Sequence, residues 1–214
     1  ELKLKLAPSK KNTIKSMECA YDINEHCTFL RWSEEVKNHF VPLCCGNADL
    51  DDFFANDAVL YDKELLGKTY IWATDEYPHK IVAAVTLAND SIKSKLLAKS
   101  ALNKLNRPIS NHKRGRSYPA ALIGRLGVDI DYQGGGKHVG TQVVNFLKAW
   151  FRKVDNKTGC RFLVVDAYNE PNVLPFYESC GFRYLYSNEA EERAFFGMDT
   201  DEALRTRLMY VDLK

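Results

Sequence analysis

The chain has 214 residues, of which 45% are hydrophobic and 27% charged, with a formal net charge of +2 at pH 7. Such values are typical of one soluble domain with a proper core, and the small charge gives no general attraction to nucleic acid. No apolar run approaches a membrane span and the N-terminal residues lack a signal-peptide core, so a membrane-spanning protein is not expected. The six cysteines form no Cys-x-x-Cys pair and no zinc-ligand spacing, which favours reduced thiols in the cytoplasm.

Short patterned segments make up the first half of the chain. Leucines alternate with charged residues over 1–6, as in an edge strand with one buried face, whereas 8–28 shows no clear pattern. Asn47 or Asp49 can cap the start of a helix with an apolar stripe. The other elements predicted here are a helix at 32–40, the helix from 47 to 58, strands at 68–74 and 80–88 joined by a hairpin at 75–79, and a helix at 92–105.

A basic segment follows the second of these strands. Between positions 93 and 116 there is no Asp or Glu, and the eight basic residues are Lys93, Lys95, Lys99, Lys104, Arg107, Lys113, Arg114 and Arg116. One interpretation is a solvated helix followed by a loop. The other is a basic flank that binds the phosphates of RNA or of a nucleotide. No aromatic residue suited to base stacking occurs before Tyr118, which weakens the RNA interpretation.

A strand, a glycine cluster and a helix follow one another over 121–153. The apolar run 121–128 predicts a strand, and Val139, Val143, Val144, Leu147 and Trp150 recur at helical spacing. A glycine-rich turn before a helix N-terminus offers free backbone N–H groups to a phosphate. The string Gly134-Gly135-Gly136-Lys137-His138-Val139 fits neither the P-loop nor the Rossmann fingerprint, because the required spacing of lysine or glycine is absent.

The last part of the chain predicts three more strands. In chain order, they are 162–167, 183–186 and 207–213, with the last two antiparallel. The segment 169–182 between the first two contains Asn169, Asn172 and the string Phe176-Tyr177-Glu178-Ser179-Cys180-Gly181-Phe182. The acidic segment 187–206 lies between the last two strands, and we expect it to frame a substrate site.

Two motifs resemble signatures of the GNAT superfamily of N-acetyltransferases. Gln133 and Gly136 fit the Gln-x-x-Gly part of its acetyl-CoA loop, and His138 stands where the pattern has Gly or Ala. The string Phe-Tyr-Glu-x-x-Gly-Phe at 176–182 resembles its second signature. A looser resemblance, at 45–53 and 87–91, is to the branch that includes acetyltransferase toxins acting on aminoacyl-tRNA. The resemblance implies one α/β domain over 1–214, with a mixed, mostly antiparallel sheet, splayed central strands, flanking helices and a basic insertion at 92–118.

The resemblance also implies roles for individual residues, with acetyl-CoA as the acyl donor. Tyr177 would protonate the departing thiolate, and a neutral phenol suits this task at pH 7. The general base would be Asp129, Asp166 or a water molecule. The main chain at Leu126, Gly127 and Val128 would contact pantetheine, and Asn169 or Asn172 would bind the cofactor arm. The pyrophosphate would be held by Gln133, Gly134, Gly135, Gly136, Lys137, His138, Val139, Gly140 and Thr141.

Three functional hypotheses follow from these observations. The leading one is an acetyl-CoA-dependent N-acetyltransferase acting on a primary amine. The second is a toxin-type enzyme that acetylates aminoacyl-tRNA and contacts the tRNA through 93–116. The third is a non-catalytic acyl-CoA-binding protein, which the unusual loop at 134–138 favours. We expect no membrane partner and no metal, and a homodimer is compatible with the resemblance.

Overall fold

A computed structural model describes residues 21–110 and 114–214. Its seven strands are β1 (Cys27–Arg31), β2 (Lys68–Thr74), β3 (Ile81–Ile92), β4 (Tyr118–Val128), β5 (Phe162–Tyr168), β6 (Arg183–Tyr184) and β7 (Thr206–Asp212). The α-helices are α1 (Ile23–His26), α2 (Glu34–Lys37), α3 (Ala48–Asp52), α4 (Ala58–Lys63), α5 (Lys99–Asn106), α6 (Val139–Phe151), α7 (Val173–Ser179) and α8 (Glu189–Phe196). A π-helical turn, Phe53–Asp57, joins α3 to α4.

The strands form one sheet in the order β1-β2-β3-β4-β5-β7-β6. Only β4 and β5 pair in parallel, and they do so over four residues, from Ala120 with Phe162 to Ile123 with Val165. Both strands continue beyond this point, β4 as far as Val128 and β5 as far as Tyr168. The two central strands therefore separate in the middle of the sheet.

Helices cover both faces of the sheet. On one face, α6 buries the apolar stripe that its 3.6-residue period predicts, and Val143, Val144 and Leu147 are fully buried there together with Tyr177 of α7. On the opposite face, α3 and α4 pack over β2 and β3 around Phe54. A second cluster on that face places Leu105 of α5 against β4, β5 and β7. The face opposite α6 thus carries two clusters, one on each side of the point where β4 and β5 part.

The predicted α/β fold is confirmed, with corrections to single elements. The helix at 32–40 is only the four residues of α2, and the helix at 92–105 is wrong at its start. There β3 continues to Ile92, because Asn89–Ile92 pair with Tyr118–Ala121 of β4. The strand at 183–186 is only β6, and β1 and α8 had not been predicted. The edge strand predicted at 1–6 lies outside the described residues. No helix in 21–110 or 114–214 combines the length and apolar character of a membrane span.

Candidate active site

A cleft of about 1010 Å³ opens where β4 and β5 separate. Its walls come from Gly124–Val128 of β4, Val165–Tyr168 of β5, the glycine turn with the start of α6, and the first turns of α7. The loop from Cys45 to Asn47 closes one side. The sheet provides the floor of this cleft through backbone groups that have lost their partner strand, so the cleft is suited to an extended ligand with amide groups.

The backbone of β4 alternates between its neighbour β3 and the cleft. Asp129 donates its N–H to the carbonyl oxygen of Val82 at 2.9 Å, so Asp129 and Gly127 direct their backbone groups toward β3. Leu126 and Val128 then direct theirs toward the cleft. This orientation would suit the main-chain contact with pantetheine predicted for Leu126 and Val128, which stays a prediction. Gly127 lines the cleft but faces β3, and a Cβ there would lie 2.9 Å from Leu43.

Gln133 holds the end of β4 to the loop on the other side of the cleft. Its side-chain amide donates to the carbonyl oxygens of Val128 at 2.7 Å and of Cys45 at 2.8 Å. The predicted role of Gln133 was to bind pyrophosphate through the backbone. The structure gives its side chain a different task, which is to fix the distance between two walls of the cleft.

The glycine turn has a left-handed backbone. The φ angles of Gly134, Gly135 and Gly136 are +61°, +57° and +76°, and His138, which precedes the first residue of α6, has φ of +51°. Glycine adopts this region without steric cost, whereas the side chain of His138 makes it unfavourable by about 1–2 kcal/mol. Within the described chain no side chain caps α6, so the N–H groups of its first turn point into the cleft unpaired. This is a suitable place for a phosphate.

Tyr177 lies between the cleft and the core. Its side chain is 6% exposed, and the rings of Phe176 and Phe182 pack against it at centroid distances of 4.9 and 5.4 Å. Burial, and then the nearby Cys180 thiol, raise the pKa of Tyr177, so its hydroxyl stays protonated at neutral pH. The residue lines the cleft on the side of α6 and α7. It is therefore available as a proton donor.

The two carboxylates that had been considered as general bases differ in their surroundings. Asp129 is fully buried, its carboxylate lies 2.8 Å from Nζ of Lys80, and it accepts from the N–H of Cys44. It holds the loop before α3 and does not line the cleft. Asp166 does line it and is exposed to solvent. Burial by the surrounding sheet, and then repulsion from Asp90, raise the pKa of Asp166.

Most of the predicted site residues surround this one cleft. Lining it are Tyr177, Leu126, Gly127, Val128, Gln133, Gly134, Gly136, His138, Val139, Gly140, Thr141 and Asn172. Gly135 and Lys137 lie on the turn but not in the wall, and Nζ of Lys137 donates to the carbonyl oxygen of Asp131. Asn169 is also outside the wall. Its side-chain amide donates to Glu189 at 3.2 Å and to the carbonyl oxygen of Leu204 at 3.0 Å, so it positions the 187–206 segment.

Some lining residues had not been predicted as part of the site. Cys45, Gly46, Asn47 and Leu50 come from the loop and first turn of α3, and Arg125 lies on β4. The looser resemblance at 45–53 was the sequence feature that could have indicated Cys45, Gly46, Asn47 and Leu50 as site residues. Arg125 donates to the carbonyl oxygen of Gly124, and its guanidinium lies 5.1 Å from the ring centre of Phe53. Within the described residues, no cluster of three or more His, Cys, Asp or Glu side chains is placed to hold a metal ion.

No protein-family profile matches the chain. No curated protein matches it either. Among solved structures, a tyrosine-to-phenylalanine mutant of KacT is similar, with 16% identity, a TM-score of 0.60, and coverage of 88% of this chain and 95% of that chain. AtaTR bound with AcCoA has 18% identity, a TM-score of 0.57 and coverage of 88% and 95%. AtaT complexed with acetyl-methionyl-tRNAfMet has 19% identity, a TM-score of 0.53 and coverage of 88% and 87%.

At these identities the likeness is one of fold. The predicted GNAT-type architecture, and its resemblance to the branch that includes toxin acetyltransferases, are confirmed at that level. The local features of the cleft also fit an acyl-CoA. Gly140 has no side chain between the start of α6 and the cleft, and a Cβ there would lie 3.1 Å from the Phe176 ring. Beyond Ile123, β4 no longer pairs with β5.

Proposed function

We propose that this protein is an acetyl-CoA-dependent N-acetyltransferase that transfers the acetyl group directly to a primary amine. The observation that carries the proposal is the separation of β4 and β5 beside an uncapped helix N-terminus. One end of the cleft suits a pyrophosphate and the middle suits an amide-containing chain. A similar fold binds AcCoA in AtaTR. Gly134–Thr141 would hold the phosphates, and the carbonyl oxygen of Leu126 with the N–H of Val128 would hydrogen-bond the pantetheine.

The reaction forms a C–N bond and breaks a C–S bond. The amine nitrogen, as its free base, attacks the acetyl carbonyl carbon, and the N–H of Leu126 stabilises the oxyanion that develops. The C–S electron pair leaves with the thiolate, which takes a proton from the hydroxyl of Tyr177. The nitrogen releases one proton to solvent as the amide forms, and Tyr177 regains its proton from solvent. No covalent enzyme intermediate is needed.

A second candidate acceptor is aminoacyl-tRNA. Seven basic residues of the 93–116 segment are described, and all are exposed: Lys93, Lys95, Lys99, Lys104, Arg107, Arg114 and Arg116. Ser100 of α5 donates to Glu191 of α8 at 3.0 Å, so this basic surface adjoins the 187–206 segment, which is expected to frame a substrate site. It could bind the RNA backbone while the aminoacyl end enters the cleft. AtaT, with a similar fold, has been seen with acetyl-methionyl-tRNAfMet.

An acyl-transfer assay tests the proposal and separates the two acceptors. The protein is incubated with acetyl-CoA and either a mixture of small primary amines or charged tRNA, and both thiol release and the acetylated product are measured by mass spectrometry. The proposal predicts one acetylated amine per thiol released. Preference for charged tRNA, lost when Lys99 and Lys104 are replaced by Glu, would favour the tRNA acceptor. Absence of acetylated product from every acceptor, with acetyl-CoA still bound, would leave the non-catalytic hypothesis in its place.

A further inference from the structure

Asp166 is the first residue of β5 beyond the point where the two central strands part. Val165 is the last β5 residue paired with β4, and its side chain lies on the face of the sheet covered by α6. Because side chains alternate along a strand, the side chain of Asp166 lies on the opposite face. The residues two and four positions earlier, Val164 and Phe162, pack in the cluster beneath α5 on that face. Tyr177 and α6 are on the other face. Asp166 therefore meets the cleft from the side away from the proposed cofactor site.

A second, smaller cleft of about 340 Å³ adjoins Asp166. Asp166 and Thr206 line both clefts, so the two share a wall at the end of β5 and the start of β7. The other walls come from the end of α8 and the segment that follows it: Phe196, Met198, Glu202, Ala203, Leu204 and Arg205. An aromatic ring and a thioether thus lie beside a carboxylate. This combination is suited to an ammonium group that carries an apolar side chain.

Internal contacts fix this second cleft in place. Glu192 of α8 is fully buried and accepts from Nε of Arg207 and the N–H of Leu208, each at 2.6 Å. Asn169 ties the carbonyl oxygen of Leu204 to the end of β5. Arg193 of α8 donates to the carbonyl oxygen of Glu202 at 2.8 Å. The walls are therefore anchored to β5 and β7 through satisfied polar groups, and the cleft is preformed.

We propose that Asp166 binds the ammonium group of the acceptor and accepts the proton that it must lose, while Phe196 and Met198 cover an apolar side chain next to that amine. The proposal rests on the function proposed above and names its acceptor class, an α-amine with an apolar side chain. The carboxylate takes one proton from R–NH₃⁺, which yields the free amine and a neutral carboxyl. After acyl transfer this proton passes to solvent.

Other carboxylates near the clefts are less suited to this role. Glu202 lines the smaller cleft but not the larger one, where the acetyl group would lie. Asp129 is paired with Lys80 and Glu192 with Arg207, so both are already neutralised. Glu170 lines the larger cleft beside Asn172 and Val173 of α7, on the side of the proposed cofactor, and does not reach the smaller one. The raised pKa of Asp166 supports the proposal, because a stronger base takes the proton of an ammonium group more readily.

The test compares cationic with neutral acceptors in the full chain. Acetyl transfer is measured to L-leucinamide, to glycinamide and to O-methylhydroxylamine, whose amine is uncharged at pH 7. Asp166→Asn should lower kcat/KM for leucinamide by about 100-fold and leave O-methylhydroxylamine unchanged. Phe196→Ala should raise KM roughly tenfold for leucinamide but not for glycinamide. Asp201→Asn, an exposed carboxylate of the same segment outside both cleft walls, is the matched control.

Two binding measurements distinguish failure of this inference from failure of the proposed function. Calorimetry with acetyl-CoA should give the same affinity for wild type and Asp166→Asn. Saturation-transfer NMR with leucinamide alone should show binding to wild type and none to Asp166→Asn. Equal losses for the cationic and neutral acceptors, or equal leucinamide binding by both proteins, would overturn the inference. A wild type that binds leucinamide through Asp166 yet transfers no acetyl group would overturn the proposed function and retain the amine site.

Discussion

The ring of Phe176 occupies the space that a side chain at Gly140 would need. A Cβ at Gly140 would lie 3.1 Å from two carbons of that ring, closer than ordinary van der Waals contact. Gly140 belongs to the glycine-turn motif and Phe176 to the second motif, so this contact joins the two sequence signatures. It brings the N-terminus of α6 against α7 and thereby sets the shape of the cleft between them.

Gly140→Ala should therefore destabilise the protein and weaken acetyl-CoA binding. The extra methyl group overpacks the contact, which costs roughly 1–3 kcal/mol of the free energy of unfolding. Urea denaturation measures this loss, and Gly159→Ala is the control, because a Cβ there meets nothing within 4 Å. Equal stability of the two variants would show that Phe176 moves aside freely and that the contact does not shape the cleft.

Replacing Tyr177 by Phe should slow the transfer step and spare cofactor binding. The change removes the hydroxyl but keeps the ring that packs between Phe176 and Phe182. Loss of a positioned acid lowers kcat by roughly 100-fold. Tyr210→Phe, a buried tyrosine that does not line the cleft, should keep wild-type kcat. A Tyr177→Phe enzyme with full kcat would remove this residue from its proposed role.

The side chain of Gln133 should matter through its two hydrogen bonds across the cleft. In Gln133→Glu a carboxylate would face the carbonyl oxygens of Val128 and Cys45 with no proton to donate, and each lost bond costs about 1–3 kcal/mol. We expect the affinity for acetyl-CoA, measured by calorimetry, to fall at least about tenfold. Asn145→Asp, the same amide-to-acid change at an exposed position of α6, is the control. Unchanged affinity in Gln133→Glu would mean that this tie is dispensable.

His138→Gly should stabilise the protein slightly. The left-handed backbone at His138 costs a side chain about 1–2 kcal/mol, whereas the greater freedom of glycine in the unfolded chain costs about 0.5–1 kcal/mol. The first effect is larger, so the free energy of unfolding should rise. Thermal and urea denaturation measure it. A loss of stability would show that the imidazole makes favourable contacts that outweigh the strain.

Asp90 should control the pH dependence of acetyl transfer through Asp166. The rate falls as the pH drops through the pKa of Asp166, because the protonated carboxyl no longer accepts a proton. Asp90→Asn removes the repulsion that helps to raise this pKa, so the acidic limb should move to lower pH. The profile should stay unchanged in Asp201→Asn. The other titratable or charged groups around Asp166 are the same in wild type and in Asp90→Asn. They are Tyr186, Glu192, Glu202, Arg205 and Arg207. If the acidic limb of the pH–rate profile has the same midpoint in Asp90→Asn and in wild type, Asp166 is excluded as the titrating group.

The motif-bearing centre of the fold could be predicted from sequence because its signals are local. The apolar run of β4, the period of α6 and the run of β5 were each placed within about three residues, inside the usual uncertainty of element boundaries. The short strand β1 was missed, since it is defined by its pairing with β2, for example Phe29 with Trp72. Nothing in five residues of mixed polarity predicts that partner.

The helix α8 had a signal that was overlooked. The side chain of Asn188 accepts from the N–H of Glu191 at 2.8 Å, which is the first half of a capping box. The carboxylate of Glu191 accepts in turn from the N–H of Ser187 at 2.9 Å. The spacing Asn-x-x-Glu is visible in the sequence. Its consequence for the site, which is to place Phe196 beside Asp166, depends on tertiary contacts and could not be predicted.

The different roles of the two candidate bases, Asp129 and Asp166, also could not be predicted from the sequence. Asp129 and Asp166 both follow apolar strand residues, so their local patterns are alike. Lys80, 49 positions before Asp129, neutralises one of them, and within 21–110 and 114–214 no ion pair includes the other. The pairing across β3 and β4 that brings Lys80 to this place is a property of the folded sheet.

A calorimetric titration of the protein with acetyl-CoA tests most directly whether the cleft between β4 and β5 binds an acyl-CoA. Desulfo-CoA and ATP serve as controls for the thioester and for the nucleotide alone. We expect one-to-one binding of acetyl-CoA in the micromolar range, binding of desulfo-CoA with similar affinity, and much weaker binding of ATP, which lacks the pantetheine proposed to pair with β4. Absence of acetyl-CoA binding, or equal binding of ATP, would contradict the assignment of the cleft between β4 and β5 to an acyl-CoA.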